Sequence, residues 1–311
     1  MTRRVAVIGE CMLELKGEAF GAMTLGHGGD TFNTAVYLRR CGAAAGIEVA
    51  YATALGEDGL STGLLDRWQA QGLDTRLVRR VPGRMPGLYM IELDAGGERS
   101  FHYWRDTAAA KAYFDEPSTP LEAQAADFDA LYLSGISLAI LPPPGRERLF
   151  ALMAAVRERG GQVIFDNNFR PRLWPDRAGA RAAFERAFSL ATIALVTADD
   201  HQALMGLDSL EAALALACSL PSPELLIKRG AASTLVRSAQ APDRWAEAPT
   251  QAVDRVVDTT AAGDAFAGGY LARRLSGDDA VSAALHGNRV AARVIRHPGA
   301  IIPAEAMNDL L

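Results

Sequence analysis

The segment Val256-Val257-Asp258-Thr259-Thr260-Ala261-Ala262-Gly263-Asp264-Ala265-Phe266 holds the residues best spaced to do chemistry. An apolar run stops at Asp258, small residues follow, and Phe266, Tyr270 and Leu271 then recur at helical spacing. Ala261, Ala262 and Gly263 therefore stand where a helix begins. Backbone N–H groups lacking intrahelical partners gather there, at the positive end of the helix dipole, and make an anion site. Side chains this small let a phosphoryl group approach the backbone. Asp264 closes the turn. It reads either as a base for an attacking hydroxyl or as a carboxylate that only favours the dipole.

Two arginines offer a second chemistry. Phe101, Tyr103 and Arg105 alternate along a strand-like arm and so share one face. Arg170 follows the apolar run Val163 to Phe165, near a strand's carboxyl end, where α/β sites lie. Guanidinium binds carboxylate bidentately, so two arginines flanked by tyrosines suit an acidic ligand. Taken singly, Arg105 also reads as a solvated strand residue and Arg170 as a loop ion pair. Tyr89, on the facing arm, reads as either a cleft or a packing residue.

Elements to position these groups recur along the chain. Val5 to Gly9, Glu48 to Leu55, Ala130 to Ser134, Gln162 to Phe165, Ile193 to Thr197 and Leu225 to Lys228 read as strands. Helical patterns separate them: Thr31 to Cys41, capped by Asp30 or Thr31 and ended by Gly42; the Leu60, Leu64 and Trp68 stripe; and Arg146 to Arg159 after a Pro142-Pro143-Pro144 loop. Such alternation implies an α/β fold with a parallel sheet covered on both faces. Met12 to Thr24 is strand-like, and Gly87 to Asp94 and Glu98 to Arg105 flank the hairpin signal Asp94-Ala95-Gly96-Gly97. These imply a small antiparallel sheet, serving as a lid or as an ordinary edge hairpin.

The 311 residues are 49% hydrophobic and 22% charged, which excludes a disordered chain. A net charge of -5 gives no basic footprint for nucleic acid, and no apolar run is long enough to span a membrane. Cys11, Cys41 and Cys218 are too few and too scattered for a disulfide framework, so a cytoplasmic protein with a small-molecule partner is expected. The five histidines lack metal-ligand spacing, and no P-loop or protein-kinase motif is present.

Taken whole, Asp-Thr-Thr-Ala-Ala-Gly-Asp-Ala-Phe resembles the signature of the ribokinase-like sugar kinases, the phosphofructokinase B family. Gly28-Gly29-Asp30-Thr31-Phe32-Asn33-Thr34-Ala35, Gly56-Glu57-Asp58-Gly59 and Lys228-Arg229-Gly230-Ala231 resemble its other elements, so the likeness runs from Val5 to Pro303. Tyr103-Trp104-Arg105, Asp166-Asn167-Asn168-Phe169-Arg170-Pro171-Arg172-Leu173-Trp174 and Gly299-Ala300-Ile301-Ile302-Pro303 are most similar to the branch that phosphorylates the sugar acid 2-keto-3-deoxygluconate. The resemblance implies a three-layer αβα sandwich in one domain, 1–311, with lid strands within 11–25 and 85–106. It makes Asp264 the catalytic base and Ala261, Ala262 and Gly263 the anion hole. It implies that Gly29, Asp30, Thr31, Phe32, Asn33, Tyr89, Tyr103, Trp104, Arg105 and Arg170 bind the sugar acid, with phosphorylation at its C6 hydroxyl. ATP is implied along Asn168, Phe169, Arg170, Lys228, Arg229, Gly230, Ala231, Ala232, Ser233 and Asn288. Mg²⁺ is expected because a phosphoryl group in transfer needs its charge neutralised. The family's Asn-x-x-Glu metal motif is replaced here by Thr197-Ala198-Asp199-Asp200, leaving Asp200, Asp258 and Thr260 as candidate metal residues. Asp258 and Thr260 match positions that line a K⁺ site in some relatives. A homodimer through the lid sheets is implied as well. A kinase of a neutral ketose such as fructose, and a sugar-binding regulator without catalysis, are the alternatives.

Overall fold

The computed structural model describes residues 2–18, 20–93 and 99–311. In chain order the strands are β1 (Arg3–Ile8), β2 (Met12–Gly17), β3 (Met23–Gly28), β4 (Ile47–Leu55), β5 (Val78–Arg80), β6 (Leu88–Leu93), β7 (Arg99–Trp104), β8 (Ala130–Ser134), β9 (Gln162–Asp166), β10 (Ile193–Thr197), β11 (Glu224–Arg229), β12 (Ala232–Arg237) and β13 (Trp245–Ala248). The larger sheet runs β13-β12-β11-β10-β9-β8-β1-β4-β5. Every pairing from β11 to β5 is parallel; only β12 and β13 are antiparallel to their neighbours.

Strand alternation divides the interior into two layers. Val5, Val7, Val49 and Tyr51 face one core, shared with helices Asp30–Gly42, Ala262–Leu275 and Ala280–Val294. Ala6, Ile8, Ala50 and Ala52 face the other, shared with helices Pro143–Glu158, Arg177–Leu190 and Ala198–Met205. This is the αβα sandwich read from the sequence. Among the described residues, no helix is long and apolar enough to cross a membrane.

Three local expectations are corrected. Pro143 and Pro144 open the Pro143–Glu158 helix rather than forming a loop before it. Proline suits that first turn, because its missing N–H has no partner to lose. Gly42 is the last residue of its helix, not a residue beyond it. Leu60 is 42% exposed, although Leu64 and Trp68 are sealed. Ser61 takes the inner position because its hydroxyl donates to Asp58 and accepts the Gly56 N–H, while Asp58 caps helix Gly59–Ala70.

The second sheet has the order β3-β2-β6-β7. The stretch Met12 to Thr24 thus contains one strand and the start of another, paired antiparallel. Strands β6 and β7 pair antiparallel as the hairpin pattern predicts; the Asp94-Ala95-Gly96-Gly97 turn lies outside the described residues. Tyr89 stands opposite Tyr103, and Ile91 opposite Phe101. Strand β6 also pairs in parallel with β2, so the small sheet is mixed rather than wholly antiparallel, and the hairpin belongs to it and not to the main sheet.

Candidate active site

The carboxyl ends of β9, β10 and β11 supply Asp166, Thr197 and Lys228 to one cavity of about 1880 Å³. Its other walls come from the connection after β1, the start of helix Asp30–Gly42, the second sheet and the start of helix Ala262–Leu275. Parallel strands ending together leave such a crevice by construction.

Asp264 is the third residue of helix Ala262–Leu275 and opens onto this cavity. The turn before it is tight enough to put Ala261, a residue with a Cβ, in the left-handed region at φ 60. The Ala262 N–H donates to the Thr259 carbonyl at 3.2 Å, so it is held in the turn. Above Gly263 the space is open: a Cβ built there would meet only the Lys228 ammonium, at 3.5 Å. Asn33 Nδ2 donates to Asp264 Oδ2 at 2.8 Å and fixes the carboxyl. Burial raises the Asp264 pKa to about 8, and the neighbouring Asp30 and Asp166 carboxylates push the same way. These effects outweigh the Asn33 hydrogen bond, the Lys228 charge and the helix dipole. A carboxyl with this pKa is matched to proton transfer near neutral pH.

Asp30 and Asn33 are one helical turn apart and both reach the cavity. Asn168 Nδ2 donates to Asp30 Oδ2 at 2.7 Å, joining the loop after β9 to this helix. Gly29 must lack a side chain, because a Cβ there would lie 2.1 Å from the Glu10 carbonyl oxygen. Tyr89, Phe101 and Tyr103 form an aromatic wall with ring centroids 6.1–6.5 Å apart. Arg105 lies beside this wall and donates to the buried Glu10 carboxylate. Arg170 Nη1 donates to Asp200 Oδ1 at 3.1 Å. Burial raises the pKa of Glu10 and of Asp200, against the pull of their arginines. Beyond the Asp264 turn the cavity continues past Gly230, Ala231, Val253, Val256, Ala292 and Ile295.

An end with ion-paired arginines and an aromatic wall, a small-residue turn with a carboxyl and a mainly apolar far end suit transfer between two small molecules. The model of the pfkB family carbohydrate kinases matches residues 2–307. The chain belongs to the pfkB family of carbohydrate kinases. It is 46% identical to the 2-dehydro-3-deoxygluconokinase of Escherichia coli K12 over 99% of each chain. It is 45% identical to the protein of that name from Dickeya dadantii, over 98% of this chain and 99% of the other. A solved fructokinase with bound ATP from Xylella fastidiosa aligns with a TM-score of 0.83 at 25% identity, covering 100% of this chain and 98% of that one.

Within this pfkB kinase, Gly29, Asp30, Asn33, Tyr89, Tyr103, Arg105, Asn168, Arg170, Lys228, Gly230, Ala231, Ala261, Ala262, Gly263 and Asp264 all line this one cavity. Others do not reach it. Thr31 and Phe32 are core residues: Thr31 bonds Tyr51, and Phe32 packs on His27, Tyr51 and Trp68. Trp104 is exposed outside the lining, turned to the face opposite Tyr103 by strand alternation. Phe169 is buried against Phe184. Arg229 bonds Ser233 and pairs with Glu247, and neither it nor Ala232 nor Ser233 lines the cavity. Asn288 does line it, but its amide is committed to Thr234 and to the Ala248 and Pro249 carbonyls.

Of the candidate metal residues, Asp200 and Thr260 border the cavity, while Asp258 is buried and bonded to Thr260 and the Gly299 N–H. Glu10 and Asp166 are cavity residues that the sequence reading did not assign. Each is made visible only by a partner far along the chain, Arg105 for Glu10 and Lys228 for Asp166.

Proposed function

We propose that this kinase transfers the γ-phosphoryl group of ATP to the C6 hydroxyl of 2-dehydro-3-deoxy-D-gluconate, giving the 6-phosphate and ADP. The observation that carries this reading is Asp264, a proton acceptor fixed by Asn33 at the mouth of an amide-lined turn, inside a cavity that Arg105 and Arg170 also line. The names of its relatives support the substrate.

The residues divide the work. Asp30 and Asn33 orient hydroxyls, and Arg105 and Arg170 receive the carboxylate, with Tyr89 and Tyr103 walling it from water. Asp264 takes the hydroxyl proton as the oxygen attacks phosphorus in line. The electron pair of the breaking P–O bond leaves on ADP. Free N–H groups at the helix start stabilise charge on the phosphoryl oxygens. The apolar wall through Val253, Val256, Ala292 and Ile295 suits the nucleotide base.

Among the described residues, no group of three or more His, Cys, Asp or Glu could cage a metal. Mg²⁺ needs no such cage, because it keeps its waters and rests on one or two carboxylates plus substrate phosphates. Asp200 is the carboxylate on the cavity wall that would rest against it, and it would neutralise phosphate charge. EDTA is expected to abolish ADP release, and excess Mg²⁺ to restore it. Undiminished turnover in EDTA contradicts the metal assignment. Phosphorus-coupled proton NMR of the product is expected to place phosphate on C6 alone; phosphate at any other carbon contradicts the pose.

One observation favours a neutral ketose as the alternative substrate: Arg105 and Arg170 already hold carboxylates, Glu10 and Asp200. We further propose that the enzyme works in the cytoplasm as a homodimer. The small sheet supports this, with outer strands β3 and β7 and exposed Met23, Leu25 and Trp104. Sedimentation is expected to give twice the chain mass, and a single-chain mass at micromolar concentration contradicts it.

A further inference from the structure

Lys228 and Asp166 form an ion pair at 3.0 Å, with side chains only 12% and 6% exposed. Withdrawing both charges from water is costly, and two apolar residues would hold β9 and β11 together at least as well. The pair therefore calls for a use beyond stability, and its surroundings supply one.

The Lys228 ammonium hangs over the start of helix Ala262–Leu275. It lies 3.5 Å from the point where a Cβ on Gly263 would sit and 6.0 Å from the Phe266 ring centroid. A group seated in the open space above Gly263 would touch the ammonium too. Lysine has three N–H donors, and Asp166 takes one. Among the described residues, no other hydrogen-bond partner of Nζ is found. The remaining cations of the lining divide differently. Arg105 and Arg170 are held by Glu10 and Asp200, and Arg172 is exposed. Lys228 is thus the fixed positive charge that stands beside both the amide cradle and Asp264.

We propose that Lys228 is a catalytic residue that stabilises negative charge on the phosphoryl group during transfer, and that Asp166 is a positioning residue that holds the ammonium over Gly263. This deepens the kinase reading and rests on it. The proton of the attacking hydroxyl goes to Asp264, the new O–P bond forms, and the leaving electrons go to ADP. The role of Lys228 is electrostatic and adds no step to the transfer.

Lys228→Met keeps the length of the stem and removes the charge. It is expected to lower kcat by about 10²- to 10³-fold, the range for losing one preorganised donor to developing charge. KM for the sugar should change less than about threefold, because the ammonium lies outside the sugar end. Lys228→Met leaves Asp166 buried without its cation, so the double variant Lys228→Met/Asp166→Asn is measured beside it. The double variant is expected to recover thermal stability while kcat stays low. Lys228→Arg is expected to keep more activity than Lys228→Met. If the double variant regains wild-type kcat, the pair is only structural and the proposal is overturned. Wild-type kcat in folded Lys228→Met overturns it as well. Wild-type protein that releases no ADP with any sugar defeats the kinase reading itself, so the two failures are distinguishable.

Discussion

Asp264→Asn is expected to lower kcat by about 10²- to 10⁴-fold, the span that a positioned general base supplies. That corresponds to about 3–5 kcal/mol of lost transition-state stabilisation. Sugar binding should change little, because an Asn at this position still accepts from Asn33 Nδ2. In the wild-type enzyme the Asp264 pKa is pushed up to about 8 by burial and by Asp30 and Asp166. The base works only when deprotonated. The kcat/KM profile should therefore climb about tenfold per pH unit toward that value and level off above it. The same shift has a cost in stability. An unfolded Asp loses its proton near pH 4, about its ordinary value. The folded protein holds the proton to about pH 8. Across this window the folded state binds more protons, so stability falls as pH rises. Asp264→Asn removes that dependence. Its melting temperature should gain on the wild type more at pH 8 than at pH 4. Thermal unfolding at the two pH values, with pH–rate profiles of both proteins, checks the paired effects. Wild-type turnover by the variant removes Asp264 from the mechanism.

Arg170→Ala is expected to cut kcat/KM for the acid sugar by about 10- to 100-fold, the worth of one hydrogen bond to a charged group. Fructose, which has no carboxylate, should lose less than about threefold. Arg170 is the cleaner probe of the two arginines because half of its side chain is exposed and its partner Asp200 lies at the surface of the cavity. Arg105→Ala should show the same selectivity and also lower stability, since it leaves Glu10 buried without its cation. Arg105→Lys separates these effects: it restores the charge and the stability but not the bidentate fork. Equal losses on acid and neutral sugars contradict carboxylate recognition.

What the sequence made legible follows from local physics. The parallel sheet shows in the strand–helix alternation. The Asp264 turn shows because an apolar run, the Asp258 to Thr260 break, three small residues and a helical stripe follow in close order. The aromatic wall shows because Phe101 and Tyr103 sit two apart on one arm. Failures came where adjacency stood in for direction. Thr31 and Phe32 lie between Asp30 and Asn33, yet each helical residue turns about 100° from the last, so those two point into the core. Trp104 is beside Tyr103 and faces the other way. Phe169 lies between Asn168 and Arg170 but fills the pocket against Phe184. Glu10 and Asp166 stand at strand carboxyl ends, but their roles are set by the cations that the fold brings to them from far along the chain.

The most direct trial of the account is ADP release by the wild-type protein with ATP, Mg²⁺ and a panel of sugar acids and neutral sugars. The account predicts the highest kcat/KM for 2-dehydro-3-deoxy-D-gluconate, well above fructose. A preference for fructose contradicts the assignment of the arginines, and binding of sugars without ADP release contradicts the assignment of Asp264.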